Sequence, residues 1–180
     1  MRKVVVTEFV SLDGVMEEPA WTMPFFNEEY ARFKLEELRA ADAHLLGRRT
    51  YEGFAAAWPG RTDEQGFADR MNNLPKYVVS TTLRELAWNN SHLLRGDLAT
   101  EITRLKQQPG QDILVAGSAQ LVQTLMRLDL VDEYRLMVFP VVLGQGKRLF
   151  QDGSTATLKL MNTQTFSTGV MVLTYHPNRS

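Results

Sequence analysis

At 180 residues, 44% of them hydrophobic and 23% charged, the chain suits one globular domain with a real core and is short for two. Its formal net charge of −1 excludes a global pull toward nucleic acid or an anionic membrane, so any phosphate binding must be local. The absence of cysteine excludes disulfide frameworks, thiolate metal sites and a cysteine nucleophile.

The opening MRKVVVTEFVSLDG has too short an apolar run before Glu8 and Asp13 for a signal peptide, and no segment approaches the length of a membrane span. A soluble cytoplasmic protein is the expectation. Residues 4–10 (VVVTEFV) read as a buried strand, rich in β-branched and aromatic side chains, and residues 11–14 (SLDG) turn the chain. Residues 15–26 are broken by Pro19 and Pro24 yet carry Trp21, Met23, Phe25 and Phe26. A loop that apolar must lie against the core or against a flat ligand. Asn27 suits an N-cap, with Glu28 and Glu29 in the first turn of a helix running to Ala41.

Residues 43–46 form a second short strand that turns at Gly47 into the sequence GRRTYEGF, helical from Thr50 to just before Trp58. Glycine lets the backbone turn there with nothing in the way, and the first helical turn presents unpaired N–H groups suited to phosphate. Arg48 and Arg49 could add bidentate contacts and Thr50 a hydroxyl. Those residues by themselves also fit a capped corner with two solvated arginines. A weakly amphipathic helix spans 63–73, a third strand 76–79 ends at Ser80, Thr81 and Thr82, a fourth covers 92–94, and a helix follows over 96–106. The apolar strand 112–116 (DILVA) runs through Gly117, Ser118, Ala119 and Gln120 into a helix bearing Leu121, Val122, Leu125, Met126 and Leu128. Residues 132–142 read as a long strand interrupted by Pro140, which belongs at an edge or a bulge. Residues 143–150 form a Gly-bracketed loop, and 157–166 with 170–176 a C-terminal hairpin. Strands alternate with helices and then finish alone, which predicts an α/β fold with a mainly parallel sheet and an antiparallel C-terminal edge.

In such sheets ligands collect beyond the carboxyl ends of the strands, and three of those ends carry anion-suited groups: Gly47-Arg48-Arg49-Thr50, Ser80-Thr81-Thr82 and Gly117-Ser118-Ala119-Gln120. Each has a local capping explanation; together they fit a dinucleotide, although neither Gly turn matches G-x-G-x-x-G. His44, His92 and His176 are scattered without metal-ligand spacing, so no metal is expected, and no nucleophile elbow, P-loop or basic stripe is present.

The order SLDG, LLGRRTYE, YVVSTT, VAGSAQL and VDEYRLMVFPVVLGQGKRLF resembles the dihydrofolate reductase-like superfamily, most closely the branch of the C-terminal reductase domain of bacterial riboflavin biosynthesis proteins. The resemblance runs from residue 3 to about residue 175 and is sharpest at GRRTY and PVVLGQGKRLF. It implies a single three-layer dihydrofolate reductase-like domain and an NADPH-dependent reductase acting on a flat heterocycle, a pterin or a pyrimidine derivative. By that analogy Gly47, Arg48 and Thr50 hold cofactor phosphate, Ser80 and Thr81 lie near the 2′-phosphate with Thr82 beside them, and Gly117 to Gln120 wrap the pyrophosphate and nicotinamide side. The segment from Asp13 to Trp21 resembles the mobile lid of these reductases, Trp21 sitting where substrate and cofactor meet. Alignment on Phe33 puts Glu29 at the position of the acidic residue that serves protonation, although Arg32 and Glu36 project to the same side as Glu29, as on a solvated face. The alternative is a non-catalytic nucleotide or small-molecule binding protein with the same fold. A homodimer is expected through residues 132–142: this strand is apolar on both alternating sets, Pro140 argues for an edge, and the related domains tend to pair. Coverage of both faces by the chain's own helices is the competing expectation.

Overall fold

The computed structural model describes residues 1–179. Eight strands form one sheet in the order β4-β3-β2-β5-β1-β6-β8-β7. They are β1 (Val4–Ser11), β2 (Ala41–Gly47), β3 (Lys76–Val79), β4 (Ser91–Leu94), β5 (Asp112–Val115), β6 (Glu133–Phe139), β7 (Leu158–Thr165) and β8 (Met171–Pro177). All pairings from β4 across to β6 are parallel, and β8 pairs antiparallel with both β6 and β7. The helices are α1 (Glu28–Arg39), α2 (Arg48–Ala57), α3 (Phe67–Asn73), α4 (Leu98–Gln107) and α5 (Ala119–Arg127), with a 3-10 helix over Pro19–Phe25.

The strand sequences account for this order. A strand covered on both faces cannot alternate polar with apolar, and β1 is buried at seven of its eight positions. Val4, Val6 and Val10 pack with Ile102 and Leu105 of α4 and with Leu121, Val122 and Leu125 of α5. On the opposite face Val5 joins Leu38 of α1, Tyr51 of α2 and Met71 of α3. Helices thus cover both sides of the sheet, giving the expected α/β three-layer architecture. Side-chain caps start three of them: Asn27 accepts from Tyr30 N at 3.0 Å, Asp97 from Thr100 N at 2.9 Å and Ser118 from Leu121 N at 3.4 Å.

Several sequence expectations are corrected. The helix after Gly47 begins at Arg48, so both arginines lie in its first turn. The preceding helix ends at Arg39, and Ala41 already belongs to β2. Most consequential is β6, which lies between β1 and β8 and is not an edge strand. It stops at Phe139, so Pro140 disturbs no ladder. Its two apolar sets are covered within the chain: Tyr134 and Leu136 join the α4/α5 face, while Met137 and Phe139 join a third cluster with Phe166, Val170 and Val172. The edge argument for a homodimer through residues 132–142 therefore falls away. Among the described residues no helix is long and apolar enough to cross a membrane.

Candidate active site

The parallel strands β2, β3 and β5 end side by side, and the groups that follow them meet. Gly47 N donates to Gly117 O at 3.1 Å, which joins the β2–α2 corner to the β5–α5 corner. The approach is closer than any other residue would allow. A Cβ on Gly47 would lie 2.3 Å from Ser118 Oγ, and one on Gly117 would lie 2.6 Å from Thr50 Oγ1. Gly117 also holds a φ of +108°, a conformation that favours glycine. Beyond β3, Ser80 Oγ accepts from Thr82 N and Leu83 N and closes a tight turn. Arg48 Nη1 reaches that turn, donating to Thr82 Oγ1 at 3.3 Å. Arg48, Arg49, Thr81 and Thr82 are exposed, and Ala119 and Gln120 form the first turn of α5. One cleft with a guanidinium and hydroxyls on one side and two bare glycine corners on the other thus contains all eleven cofactor-binding candidates. These donors and the space left by the absent Cβ atoms fit a dinucleotide.

The catalytic candidates are scattered. Trp21 does reach a site: its ring stands edge-on to Phe139 at 5.4 Å, joined there by Phe25, Phe9 and Tyr30 at 5.7, 5.8 and 6.3 Å. Asp13 is corrected to a latch. Its carboxylate accepts from Ser11 Oγ at 2.6 Å, Leu143 N at 3.1 Å and Gly144 N at 2.8 Å, tying the SLDG turn to the loop at 143–149. Those bonds, the Ser11 hydroxyl foremost, hold its pKa down at about 2, so it has no proton to give near neutral pH. Glu29 is turned away as well. It accepts from Ser167 Oγ at 2.6 Å and Ser167 N at 2.8 Å, which pins α1 to the β7–β8 turn and holds its carboxyl below the usual range.

What the sequence reading missed lies under α1. Lys34 Nζ donates to Thr7 Oγ1 at 3.1 Å, Thr7 Oγ1 donates to Glu37 Oε2 at 2.9 Å, and Lys34 pairs directly with Glu37. Arg135 of β6 stands 3.7 Å from Glu37 and closes the set by pairing with Glu133 and Asp112. Lys34 also lies 5.3 Å over the Phe9 ring, so this polar group borders the aromatic cluster. Beside the dinucleotide cleft, Glu8 is 7% exposed, and its Oε1 has no hydrogen-bond partner. The available signal was polar Thr7 and Glu8 inside VVVTEFV, a strand otherwise fit for burial on both faces.

Residues 2–172 match the family described as RibD C-terminal domain. The chain belongs to that family. Among relatives of the RibD C-terminal domain, the uncharacterized protein YyaP of Bacillus subtilis is 35% identical over 98% of this chain and 96% of its own. A putative riboflavin biosynthesis protein from Shewanella sp. PV-4 superposes with a TM-score of 0.77 at 22% identity, covering 98% of this chain and 99% of its own. A dihydrofolate reductase from Enterococcus faecalis, solved with NADP(H), superposes with a TM-score of 0.65 at 14% identity over 98% and 97%. The dihydrofolate reductase-like fold of this RibD C-terminal domain is thereby established.

The segment at residues 15–26 gives the first testable expectation. Two of the ring pairs on Phe139 come from the 3-10 helix, and at about 0.5–1.5 kcal/mol per pair they hold it with only roughly 1–3 kcal/mol. Met23 and Phe26 remain exposed. That is well below a typical global stability, so local opening precedes unfolding. Amide exchange of the free protein should be faster here than in β1 and β5 and should slow when NADPH is added. Protection equal to that of the sheet without cofactor would make the segment core.

Proposed function

We propose that this chain is an NADPH-dependent reductase that presents the nicotinamide to a flat heterocycle, a pterin or a pyrimidine derivative. The observation that carries the reading is the meeting of three strand ends in one cleft, with the Arg48 guanidinium 3.3 Å from Thr82 Oγ1. Arg48, Ser80, Thr81 and Thr82 would hold the 2′-phosphate. Gly47, Thr50, Gly117, Ser118, Ala119 and Gln120 would receive the pyrophosphate and nicotinamide side, with Arg49 contributing charge. When bound, the reduced nicotinamide supplies the hydride. The chain's own contribution is to hold that ring against the shelf of Phe9, Trp21, Tyr30 and Phe139 and to exclude water when the 3-10 helix is seated.

The test is cofactor oxidation, followed by absorbance, across a panel of pterins and pyrimidines. Turnover with at least one compound supports the reading. A second reading, a nucleotide or small-molecule binding protein of the same fold, draws on the engagement of Glu29 and Asp13 away from the aromatic shelf. Cofactor binding without oxidation over the whole panel would favour it.

NADPH should also bind more tightly than NADH. A charge-assisted contact contributes on the order of 1.5–3 kcal/mol, so loss of the 2′-phosphate should weaken binding by about one to two decades. Arg48→Ala should narrow that gap and leave the melting temperature in place, since Arg48 is exposed. Equal dissociation constants for the two cofactors would remove the assignment of this corner.

A further inference from the structure

The cleft carries a carboxyl group that a site for a phosphate-rich ligand would ordinarily avoid. Glu8 follows Val6 on the face of β1 that packs on α4 and α5, and it lies in register with Leu136 of β6. Its Oε1 is 3.7 Å from the point that a Cβ on Gly117 would occupy, and Thr50 Oγ1 is 2.6 Å from that same point. Glu8 therefore faces the junction where two corners of the dinucleotide cleft touch. No ion pair neutralises it, and its Oε1 is left without a donor.

We propose that the cleft accepts its anionic dinucleotide only while Glu8 is protonated, so that NADPH is held near neutral pH and released in alkaline solution. This rests on the NADPH reading of the cleft. As a neutral acid Glu8 adds no charge beneath the phosphates and has a proton to donate. As a carboxylate it places a poorly screened negative charge in a low-dielectric site beside a polyanion.

The surroundings favour the neutral form. Burial is the dominant influence and pushes Glu8 up to about 8 from an ordinary carboxylate value, Lys34 opposing the shift and Glu37 adding to it. These two α1 side chains hydrogen-bond to Thr7, on the other alternating set of β1. Arg135 of β6 is engaged by Glu133, Asp112 and Glu37. His44 of β2 is kept neutral by burial, with its pKa lowered to about 3. The nearby strand end of β5 (Val115 to Gly117) and the buried face of α5 (Leu121, Val122, Leu125) are uncharged, while Arg48 and Arg49 of α2 point to solvent. For a buried acid with a raised pKa, stability is fully present below the unfolded value and declines as pH rises toward the folded one. Glu8→Gln should therefore melt no lower than the parent protein at pH 8.

Calorimetric titration with NADPH from pH 7.0 to 9.5 tests the proposal, since the ligand's 2′-phosphate, like other phosphomonoesters with a second pKa of about 6, is already ionised over that range. For the parent protein the affinity should hold near pH 7 and fall by up to about tenfold per pH unit above about 8, with proton uptake on binding at pH 8.5 in buffers of different ionisation enthalpy. Glu8→Gln should bind with little pH dependence and without that uptake. Lys76, lowered by burial to about 8, titrates in the same window but lies on β3 with its Nζ on Asn72 O and Asn89 O, so its contribution persists in Glu8→Gln. An affinity flat from pH 7.0 to 9.5, or a slope that survives in Glu8→Gln, overturns the role of Glu8 and leaves the reductase reading standing. Failure to bind NADPH at every pH overturns both. Should Glu8→Gln not fold, carbon-detected NMR titration of the parent's glutamate carboxyls decides: one titrating near 8 supports the proposal, and none above about 6 overturns it.

Discussion

Glu37→Leu should lower the unfolding free energy by about 3 kcal/mol, the expected result of removing one partner from a buried charged set. Glu37 is 4% exposed and is the acceptor around which Lys34, Thr7 and Arg135 are arranged. Without it Arg135 keeps Glu133 and Asp112, whereas Lys34 keeps only the Thr7 hydroxyl and the face of Phe9. The cost should fall mainly on Lys34, whose side chain is 18% exposed and cannot simply swing into water. Lys34→Met alone should also destabilise, because it leaves Glu37 facing a more distant guanidinium. The double replacement Lys34→Met/Glu37→Leu should recover most of the loss, since a buried ion pair and a well-packed apolar pair of similar volume are often nearly equal in stability. Urea unfolding of the three variants at pH 7 gives the coupling directly. Additive losses in the double variant would mean that these groups are stabilised separately.

Gly47→Ala should damage both the fold and the cleft, and Gly53→Ala, six residues on, should do the opposite. Gly47 has an ordinary φ of −75°, so no conformational demand reserves the position for glycine. The demand is space: its Cβ would lie 2.3 Å from Ser118 Oγ and 3.0 Å from Ser118 Cβ and N. The hydroxyl can rotate, but the backbone nitrogen can move only if the β5–α5 corner moves with it. Overpacking of that kind costs about 1–3 kcal/mol. Separating the two corners should weaken NADPH by roughly ten- to a hundredfold, on the sensitivity of bound geometry to small displacements. Gly53 lies within α2 with nothing within 4 Å of its added Cβ, so alanine there should stabilise by about 0.5–1 kcal/mol and leave NADPH affinity unchanged. Denaturant midpoints and NADPH titrations on the pair separate packing at the junction from general effects on α2. An unperturbed Gly47→Ala protein would mean that the corners are looser than drawn.

The local elements were largely legible in the chain. Apolar runs of four to seven residues bounded by turn signals, VVVTEFV and DILVA among them, have to be buried on both faces, and they became β1 and β5 at the centre of the sheet. Gly47 and Gly117 marked strand-to-helix corners because the residues around them change from strand to helical spacing, and each corner ends a parallel strand. That grouping of Gly47 to Thr50, Ser80 to Thr82 and Gly117 to Gln120 needed only the rule that parallel strands share one carboxyl edge.

Neighbourhood was not legible, and it decided the rest. Pro140 and the two-sided apolar pattern of β6 suit an edge strand bound by a partner as well as an interior strand covered from both sides. Only the antiparallel addition of β8 along β6 chose the interior. Glu29, Lys34 and Glu37 look alike in EEYARFKLEELR, where charges every three or four residues resemble a solvated face. The tilt of α1 over β1 sends Glu29 to the Ser167 turn and Lys34 and Glu37 onto Thr7. Asp13 looked like a site residue and became a latch because the loop at 143–149, 130 residues away along the chain, brings its amides to it. Glu8 was visible from the start as a polar residue in a buried strand. Its lack of a partner, and its place against Gly117 and Thr50, follow from which strands lie beside β1, and sequence periodicity carries no information about that.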